Sequence, residues 1–505
     1  MRHSLSRRNF LGRAAIGLAS TALPAIGWGQ SAGQNPLRIP SLLAGEVRSG
    51  VKHYDLTMQQ GMSEFFSDVG TPTLGLNGSY LGPTLKLNNN DRVSLHVRNS
   101  ITETATLHWH GLHVPAKADG GPAQVIAPNT VWDADFTVMQ RGGTFWYHAH
   151  TMGQTGSQVY RGLSGLIELE DDETTQPGLP SEYGVDDIPV IIQDKRFNRD
   201  GSLAYIGMHR DIMAGFSGNT LLVNGTLNPY FAATSRRTRL RLLNASNART
   251  YNLSFRDNRS FEVIGSGGSL LATPESMMNI VLAPAERADI IVDLANGQNA
   301  GLISSALPSD SPFLSRGMMR NMQAMSGEDF DVLTLRPQAG ANDSPELPRQ
   351  LTTISRIPES EAIRTRRFEL GMVMGMGMMG GRGGGGGRGM NASTPFSING
   401  QSMAMDVINE TVQVDSTEIW EIVNDTMMMH PFHVHHGQFQ ILDRNGRPPH
   451  PEEMAYKDTV KVGPGETVRF IMRFTDFSDP DTAYMYHCHI LEHEDNGMMG
   501  QFVVV

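Results

Sequence analysis

The sequence predicts an all-β protein made of three related β-sandwiches, and two observations lead to that fold class. Short segments in which apolar and polar residues alternate are separated by Gly, Pro and Asn turns, which is typical of antiparallel sandwiches. A series of turn and strand signals also occurs three times along the chain. The length of 505 residues is too great for one ordinary domain and suits about three.

Each copy of the repeat begins with an Asn-Gly turn, continues through a strand that ends in asparagine, and reaches a Pro-centred turn before the next strand. The Asn-Gly turns are residues 77–78, 224–225 and 399–400. The asparagines are Asn99, Asn244 and Asn424, and the prolines are Pro128, Pro284 and Pro464. This spacing predicts domains at residues 40–172, 185–340 and 350–505.

The N-terminus predicts an export signal. Arg7 and Arg8 precede a short apolar run from Ala14 to Ile26. A twin-arginine pair ahead of such a run is typical of signals that export folded proteins. The run is too short and too rich in Gly, Ala and Ser to span a membrane well. We therefore expect residues 1–30 to be a twin-arginine signal and the mature chain to be periplasmic or otherwise exported.

Charge and cysteine content exclude some classes of function. The formal net charge is −11, and it becomes −15 without residues 1–30, which hold four arginines and no acidic residue. An acidic surface argues against nucleic-acid binding and suits attraction of cations. No later stretch approaches the length of a membrane span. The one cysteine, Cys488, cannot form a disulfide within the chain, and the histidines beside it indicate a metal thiolate.

Four His-x-His triplets are the main motif of the chain. Successive side chains of a strand point to opposite faces, so each triplet directs two imidazoles to one side and its middle residue to the other. Eight imidazoles are more than one metal can use. The triplets are His108-Trp109-His110, His148-Ala149-His150, His433-Val434-His435 and His487-Cys488-His489.

The internal repeat indicates which domains hold the metal ligands. His108 and His433 each lie nine residues after the repeated asparagine, whereas the middle copy has Leu253 there and Phe255 two residues later. The second triplet has alanine where the fourth has cysteine. We therefore expect a histidine cluster where the first and last domains meet, a mononuclear site in the last domain, and a middle domain that binds no copper of its own.

The donor types favour copper. A thiolate with two imidazoles and a weak axial thioether is the blue-copper pattern, and the candidates near Cys488 are His430, His493 and Met498. Zinc accepts Cys and His as well, but a zinc site does not explain eight further paired imidazoles. Eight histidines divide naturally into two, three and three around a three-metal cluster.

The triplets, with His430-Pro431-Phe432 before the third and with His493 and Met498 after the fourth, resemble the four copper motifs of the multicopper oxidases. The resemblance covers nearly the whole mature chain and is nearest to bacterial copper-efflux oxidases and three-domain bacterial laccases. It implies three cupredoxin-like Greek-key sandwiches, four coppers, and O2 as electron acceptor. The ligands it implies are His430, Cys488, His493 and Met498 for type 1 copper, His108 and His433 for type 2 copper, His110, His148 and His489 for one type 3 copper, and His150, His435 and His487 for the other.

Two carboxylates resemble the residues that deliver protons to the oxygen site of this family. They are Asp119, which is followed by two glycines, and Glu494, directly after His493. The alternatives are a turn aspartate and a solvated glutamate. The chain departs from the copper-efflux oxidases at Thr426, because those relatives carry an aspartate four residues before the first ligand of the third motif.

A low-complexity segment at residues 371–390 carries six methionines among many glycines. Thioethers are polarizable, soft ligands that suit Cu(I), and the efflux oxidases have a comparable insert over the type 1 site. The alternative is a flexible surface insertion. The run Met427–Met429, next to His430, either extends a path for Cu(I) or packs in the core.

These patterns predict an exported, monomeric copper oxidase that oxidises Cu(I), small phenols or both, reduces O2 to water, and serves copper tolerance. A general laccase is the alternative. A copper nitrite reductase has a lone type 2 copper, which the eight paired histidines argue against. A non-enzymatic scaffold of this fold, such as a cell-division protein, has no use for twelve ligands, while copper storage stays open.

Overall fold

The computed structural model describes residues 33–324, 329–372 and 395–505. The predicted signal at residues 1–30 lies outside the described residues, as does the methionine-rich insert after Met372. The described residues form mostly strands, which confirms the predicted all-β class of three sandwiches. No helix in this part of the chain is long and apolar enough to cross a membrane.

The strands follow the order of the three sandwiches. The first third contains β1 (Asn35–Pro36), β2 (Leu42–Leu43), β3 (Glu46–Arg48), β4 (Val51–Phe66), β5 (Val69–Leu76), β6 (Thr84–Asn88), β7 (Arg92–Asn99), β8 (His108–His110), β9 (Val131–Thr137), β10 (Gly143–His148), α1 (Thr155–Arg161) and β11 (Ser164–Glu170). The middle third contains β12 (Asp187–Lys195), α2 (His209–Met213), β13 (Thr220–Val223), β14 (Thr226–Leu227), β15 (Pro229–Ser235), β16 (Arg237–Asn244), β17 (Tyr251–Phe255), β18 (Phe261–Gly265), β19 (Leu270–Met277), β20 (Asn279–Leu282), β21 (Arg287–Asp293), β22 (Ala300–Ser305), α3 (Gly317–Ala324) and β23 (Phe330–Asn342). The last third contains β24 (Arg364–Met372), β25 (Phe396–Ile398), β26 (Glu410–Val412), β27 (Ser416–Asn424), β28 (His430–Val434), β29 (Phe439–Arg444), β30 (Thr459–Val462), β31 (Glu466–Phe474), β32 (Asp479–Cys488), α4 (Leu491–Asp495) and β33 (Met499–Val504).

Two sheets enclose a hydrophobic core in each sandwich. In the first sandwich the sheets are β3-β4-β7-β9, with β5 also paired to β4, and β2-β6-β11-β10-β8. In the middle one they are β14-β13-β12-β16-β21-β18-β19 and β1-β15-β23-β22-β17-β20, and in the last one β25-β24-β27-β31-β29 and β26-β33-β32-β28-β30. Three large clusters of buried apolar side chains lie between these pairs of sheets. The domain boundaries proposed from the sequence stay a prediction.

The sheets are mixed, which differs from the antiparallel pattern that the sequence suggests. The central strands β7, β16 and β27 each pair with one parallel neighbour and one antiparallel neighbour. Between each parallel pair the chain visits the opposite sheet, through β6, β15 or β26. A crossover of this kind returns the chain in the same direction, so the neighbouring strands are parallel. The alternation of apolar and polar residues in the sequence does not indicate whether neighbouring strands are parallel or antiparallel.

The repeated asparagines end the central strands, and their side chains explain the constant spacing of the repeat. Each side chain is buried, and its amide donates to two backbone carbonyl groups. The acceptors are Glu103 and Ile126 for Asn99 (2.9 and 2.8 Å), Arg249 and Leu282 for Asn244 (2.8 and 2.9 Å), and Met428 and Val462 for Asn424 (2.8 and 2.9 Å). These bonds fix the turn that leads into the next strand, which in the outer two sandwiches carries a histidine triplet.

Lys195, at the end of β12, is a buried cation in the middle sandwich. Its ammonium group donates to the carbonyl of Tyr160 (2.6 Å) and lies 4.3 Å from the centre of that ring. Burial lowers the pKa of Lys195 to about 7, although Asp194 opposes the shift. Between pH 7 and the ordinary lysine range, the unfolded chain therefore binds a proton that the folded chain does not, and stability rises with pH.

We predict that Lys195→Met raises Tm at pH 7 and below, because a buried amine that must stay neutral or be charged at a cost is replaced by an apolar side chain. The gain is on the order of 2–5 kcal/mol at most. The difference from wild type should shrink as pH rises from 7 and should vanish only above the ordinary lysine pKa of 10.5, where the lysine is neutral in both states. Scanning calorimetry across pH measures it, with Lys117→Met as the exposed control. A difference that is constant across pH would contradict the assignment.

Candidate metal centre

Two equivalent strand pairs carry the histidine triplets. In the first sandwich β8 pairs with β10, and His108 lies opposite His148. In the last sandwich β28 pairs with β32, and His433 lies opposite His487. Because strand side chains alternate, the middle residues of the triplets point into the cores, where they pack with the apolar clusters. The imidazoles point out of the two sandwiches and towards each other.

The eight imidazoles form one buried cluster between the first and last sandwiches. His108 stacks on His435 with ring centres 3.9 Å apart, and His110 stacks on His433 at 3.7 Å. Each stack therefore joins one histidine from the first sandwich to one from the last. Three sets of ring nitrogens converge closely enough for metal binding: His108, His110 and His433; His110, His148 and His489; and His150, His435 and His487.

One nitrogen of several rings is held by the protein, and the other is directed into the cluster. The Nδ1–H groups of His108 and His433 donate to the backbone carbonyls of Asp119 and Asp458, both at 2.8 Å. Within residues 33–324, 329–372 and 395–505, the Nε2 atoms of these two histidines and both nitrogens of His489 are buried without a hydrogen-bond partner. A buried polar atom left unpaired costs about 1–3 kcal/mol, so this arrangement fits bound metal ions.

His110 has the opposite orientation. Its Nε2–H donates to the Asp458 carboxylate at 3.1 Å, and its Nδ1 lies 3.4 Å from Nε2 of His148. Nε2 of His487 lies 3.2 Å from Nε2 of His150 and 3.3 Å from Nε2 of His435. A metal-bound histidine usually donates the N–H of its second nitrogen to a carbonyl or carboxylate, because this hydrogen bond fixes both the tautomer and the ring orientation.

Burial favours the neutral form of six imidazoles of the cluster, and metal binding requires that form. Burial lowers the pKa of most members of the cluster well below the ordinary histidine value, and neighbouring imidazoles add to the shift; these members are His110, His148, His433, His435 and His489. Burial also lowers the pKa of His150 to about 4, against the opposing effect of Glu494. These six imidazoles are therefore neutral nitrogen donors.

A second donor set lies on the other side of the fourth triplet. Nδ1 of His430 is 3.3 Å and Nδ1 of His493 is 3.7 Å from Sγ of Cys488. Burial raises the pKa of the Cys488 thiol, so the free thiol keeps its proton until a metal displaces it. Met498 is buried in the same apolar cluster, and its carbonyl accepts the backbone N–H of Cys488 at 3.0 Å. Thiolate, imidazole and thioether together fit copper.

The outer nitrogens of this second set are also held. Nε2–H of His430 donates to Oγ1 of Thr426 at 2.8 Å, and Thr426 in turn donates to the repeated Asn424 at 2.7 Å. Nε2–H of His493 donates to the carbonyl of Met213 at 3.3 Å, at the end of α2 in the middle sandwich. Phe396 stacks on His493 with ring centres 4.1 Å apart. The hydroxyl of Thr426 therefore holds the ring nitrogen of candidate ligand His430 that faces away from Cys488.

Both carboxylates singled out in the sequence lie against the eight-histidine cluster and are buried, so neither is a solvated surface group. Oδ2 of Asp119 accepts from Nδ1 of His435 at 2.7 Å. Glu494 lies on α4, with its carboxylate oxygens 3.4 Å from Nδ1 of His150 and 3.2 Å from Nδ1 of His487. Each carboxylate is therefore within hydrogen-bond reach of an imidazole N–H at the edge of the cluster.

The middle sandwich contributes contacts rather than donor atoms among the described residues. Leu253 and Phe255 lie in β17 and are buried in the middle core, as their place in the repeat predicts. Sequence reasoning missed Asp458, Arg287 and Met213, which hold candidate ligands in place. Motif spacing gave no signal for them, because Arg287 and Met213 lie in the middle sandwich, whereas the histidines that they help to hold lie in the outer two.

Comparison with known proteins agrees with this geometry. A family model described as multicopper oxidase matches residues 57–174, and a second one with the same description matches residues 386–505. The chain is 35% identical to a multicopper oxidase, mco, of Staphylococcus haemolyticus, over 94% of this chain and 93% of that one. It is also 35% identical to the cell division protein FtsP of Escherichia coli, over 99% of each chain.

Solved structures give the same result. The laccase-like multicopper oxidase CueO from Ochrobactrum sp. has 31% identity and a TM-score of 0.81, over 93% of this chain and all of that one. McoA multicopper oxidase from Aquifex aeolicus has 33% identity and a TM-score of 0.79, over 94% of this chain and all of that one. The sandwiches are therefore cupredoxin-like, and the chain belongs to the copper-dependent multicopper oxidase family.

Proposed function

We propose that this protein is a four-copper oxidase that couples one-electron oxidation of Cu(I), small phenols or both to the four-electron reduction of O2 to water. The observation that carries the proposal is the pair of donor sets: His430, Cys488 and His493 converge, with Met498 in the same buried apolar cluster, and eight imidazoles converge beside them. His430, Cys488, His493 and Met498 would hold type 1 copper. The type 2 ligands would be His108 and His433; the type 3 ligands would be His110, His148 and His489 for one ion, and His150, His435 and His487 for the other.

The fourth triplet joins the two donor sets by covalent bonds. The Cys488 side chain points into the last sandwich, while His487 and His489 point into the cluster, because strand side chains alternate. The carbonyl of Cys488 also accepts Nδ1–H of His487 at 3.2 Å. Bound copper ions supply the one-electron redox chemistry, and four of them match the electron demand of O2. The chain contributes a short, rigid covalent connection between the type 1 donor set and the histidine cluster.

Asp119 and Glu494 are the proposed proton donors. Each has a carboxylate oxygen without a hydrogen-bond partner in the described part of the chain, Oδ1 in Asp119 and both oxygens in Glu494. Each carboxylate also contacts the rim of the cluster, Asp119 through the bond from His435 to its other oxygen, Oδ2, and Glu494 through His150 and His487. A proton held there has a short path to the oxygen site, which reduction to water requires.

Oxidation of Cu(I) in copper tolerance is the finer part of the proposal. The methionine-rich insert after Met372 lies outside the described residues, but the strands before and after it do not: Met372 pairs with Phe396, which stacks on candidate ligand His493. These two flanking strands therefore lie beside the type 1 donor set. Export through the twin-arginine signal and action as a monomer complete the proposal.

A non-enzymatic role is the second candidate, because relatives named cell division protein FtsP match the full chain. The buried, unpaired imidazole nitrogens favour the oxidase, since a scaffold gains nothing from that cost. A laccase-type phenol oxidase uses the same donor sets and is separated from a cuprous oxidase only by its substrate.

We predict that Cys488→Ser abolishes the blue charge-transfer band and the oxidase activity of the copper-loaded protein while the chain stays folded. The thiolate is the donor that produces the band, and a serine hydroxyl does not replace it. Ala149→Ser is the matched control, since this buried residue holds the equivalent place in the second triplet. Absorbance, circular dichroism and O2 uptake are measured on both. A Cys488→Ser protein that stays blue would refute the assignment.

Deletion of residues 373–390 should impair oxidation of Cu(I) and spare or improve oxidation of a bulky phenol. A thioether-rich segment joined to strands that lie next to the type 1 donor set would supply the Cu(I), whereas it would only obstruct a phenol. The ratio of the two kcat/KM values, measured for wild type and deletion variant, is the readout. A variant in which the methionines are changed to leucine controls for length. An unchanged ratio would favour a spacer and a general laccase.

A further inference from the structure

Asp458 touches one histidine of each outer sandwich. Its backbone carbonyl accepts Nδ1–H of His433 at 2.8 Å, and its carboxylate accepts Nε2–H of His110 at 3.1 Å. The hydroxyl of Thr459 lies 3.0 Å from the same His110 nitrogen and donates to the Asp458 carboxylate at 2.9 Å. These two histidines form one of the stacked pairs of the cluster. Asp458 therefore fixes both rings of that pair.

Asp119 holds the other stacked pair in the same way. Its carbonyl accepts from His108 at 2.8 Å, and its carboxylate accepts from His435 at 2.7 Å. Each aspartate thus binds a histidine of its own sandwich through the backbone and a histidine of the opposite sandwich through the side chain. The cluster has approximate twofold symmetry, with Asp119 and Asp458 in equivalent places.

Arg287 breaks this symmetry. Its guanidinium group donates to both oxygens of Asp458, at 2.7 and 2.6 Å. Its remaining bonds go to the carbonyls of Thr144 (3.0 Å) and Ala285 (3.1 Å). Arg287 belongs to the middle sandwich, Thr144 to the first and Asp458 to the last, so one side chain ties all three together. Asp119 has one carboxylate oxygen unpartnered among the described residues.

The backbone around this ion pair leaves room for it. A Cβ atom at Gly111, directly after the first triplet, would lie 2.4 Å from Oδ2 of Asp458, and the residue has φ of +85°. A Cβ atom at Gly267, φ +90°, would lie 2.9 Å from the guanidinium carbon of Arg287. Side chains are therefore excluded at both ends of the pair, where an L-residue would also be strained.

We propose that Arg287 is a positioning residue of the trinuclear centre: it holds Asp458, whose carboxylate fixes His110 and whose backbone carbonyl fixes His433. The proposal rests on the proposed function, since it assumes that these histidines bind copper. A bidentate guanidinium–carboxylate pair restrains rotation of the carboxylate in a way that a lysine cannot. Outer partners of metal-bound histidines commonly change metal affinity by about 10–100-fold. The middle sandwich, without ligands of its own in the repeat, thereby takes part in metal binding.

The test compares Arg287→Lys with Arg241→Lys in the copper-loaded full chain. Arg241 is a matched control: it is buried, lies in the middle sandwich, and contacts Thr144, Asp187 and Glu168. Among the described residues it makes no hydrogen bond or ion pair with a histidine of the cluster. The readouts are copper per chain, the type 2 electron paramagnetic resonance signal, the blue band and Tm. Asp458→Asn and the double variant Arg287→Lys/Asp458→Asn complete a cycle.

Arg287→Lys should lower the affinity of the trinuclear centre for copper by about 10–100-fold and alter the type 2 signal, while the blue band is retained. Arg241→Lys should lower Tm without either change. The double variant should lose no more than Asp458→Asn alone, because Arg287 acts through Asp458.

An unchanged type 2 signal and copper affinity in Arg287→Lys would overturn the proposal, as would equal losses in Arg241→Lys. If Arg287→Lys does not fold, Thr459→Val tests the restraint on the same two rings, because the Thr459 hydroxyl lies 3.0 Å from Nε2 of His110 and 3.2 Å from Nδ1 of the type 2 ligand His433. An unaltered type 2 signal in that variant would count against the proposal. A wild-type chain that binds no copper would instead refute the proposed function. The two failures are therefore distinct.

Discussion

The site depends on one constraint: imidazoles from two sandwiches are buried against each other, and each directs a ring nitrogen inward. Such a cluster is unfavourable by itself, because each unpaired buried nitrogen loses its bond to water and gains none from the protein. Most of the opposite nitrogens are bonded to carbonyl or carboxylate oxygens, so the rings cannot turn to relieve the cost. Bound metal ions would satisfy these inward nitrogens.

Docking of the sandwiches is maintained by buried ion pairs as well as by apolar contact. Arg241 of the middle sandwich meets Glu168 of the first at 2.7 Å. Glu286, next to Arg287, accepts from Lys457 and Lys461 of the last sandwich, at 3.2 and 3.3 Å. Breaking a buried pair by removing one partner is costly, since it leaves a charge unpaired. The middle sandwich therefore fixes how the outer two meet, although its own repeat positions carry Leu253 and Phe255.

Much of this site can be predicted from the sequence, because short spacing on a strand determines which side chains share a face. The triplets, Cys488 and His493 are found in this way, and the repeated asparagines predict the equivalent strands. Contacts between residues of different sandwiches cannot be predicted from spacing on a strand. Asp458 lies 25 residues after His433 in no motif, and Arg287 lies in a sandwich that lacks ligands. The parallel strand pairs are also invisible to alternation, because they depend on which sheet the chain visits between two strands.

Relatives with similar identity to this chain carry names as different as multicopper oxidase and cell division protein. Membership of the family alone therefore does not distinguish an enzyme from a non-enzymatic scaffold. The most direct test is the amount of O2 consumed per electron delivered by a one-electron donor to the copper-loaded wild-type chain, with hydrogen peroxide assayed in parallel. Our account predicts one O2 for four electrons and no peroxide. One O2 for two electrons with accumulating peroxide, or no O2 uptake by a fully loaded protein, would contradict it.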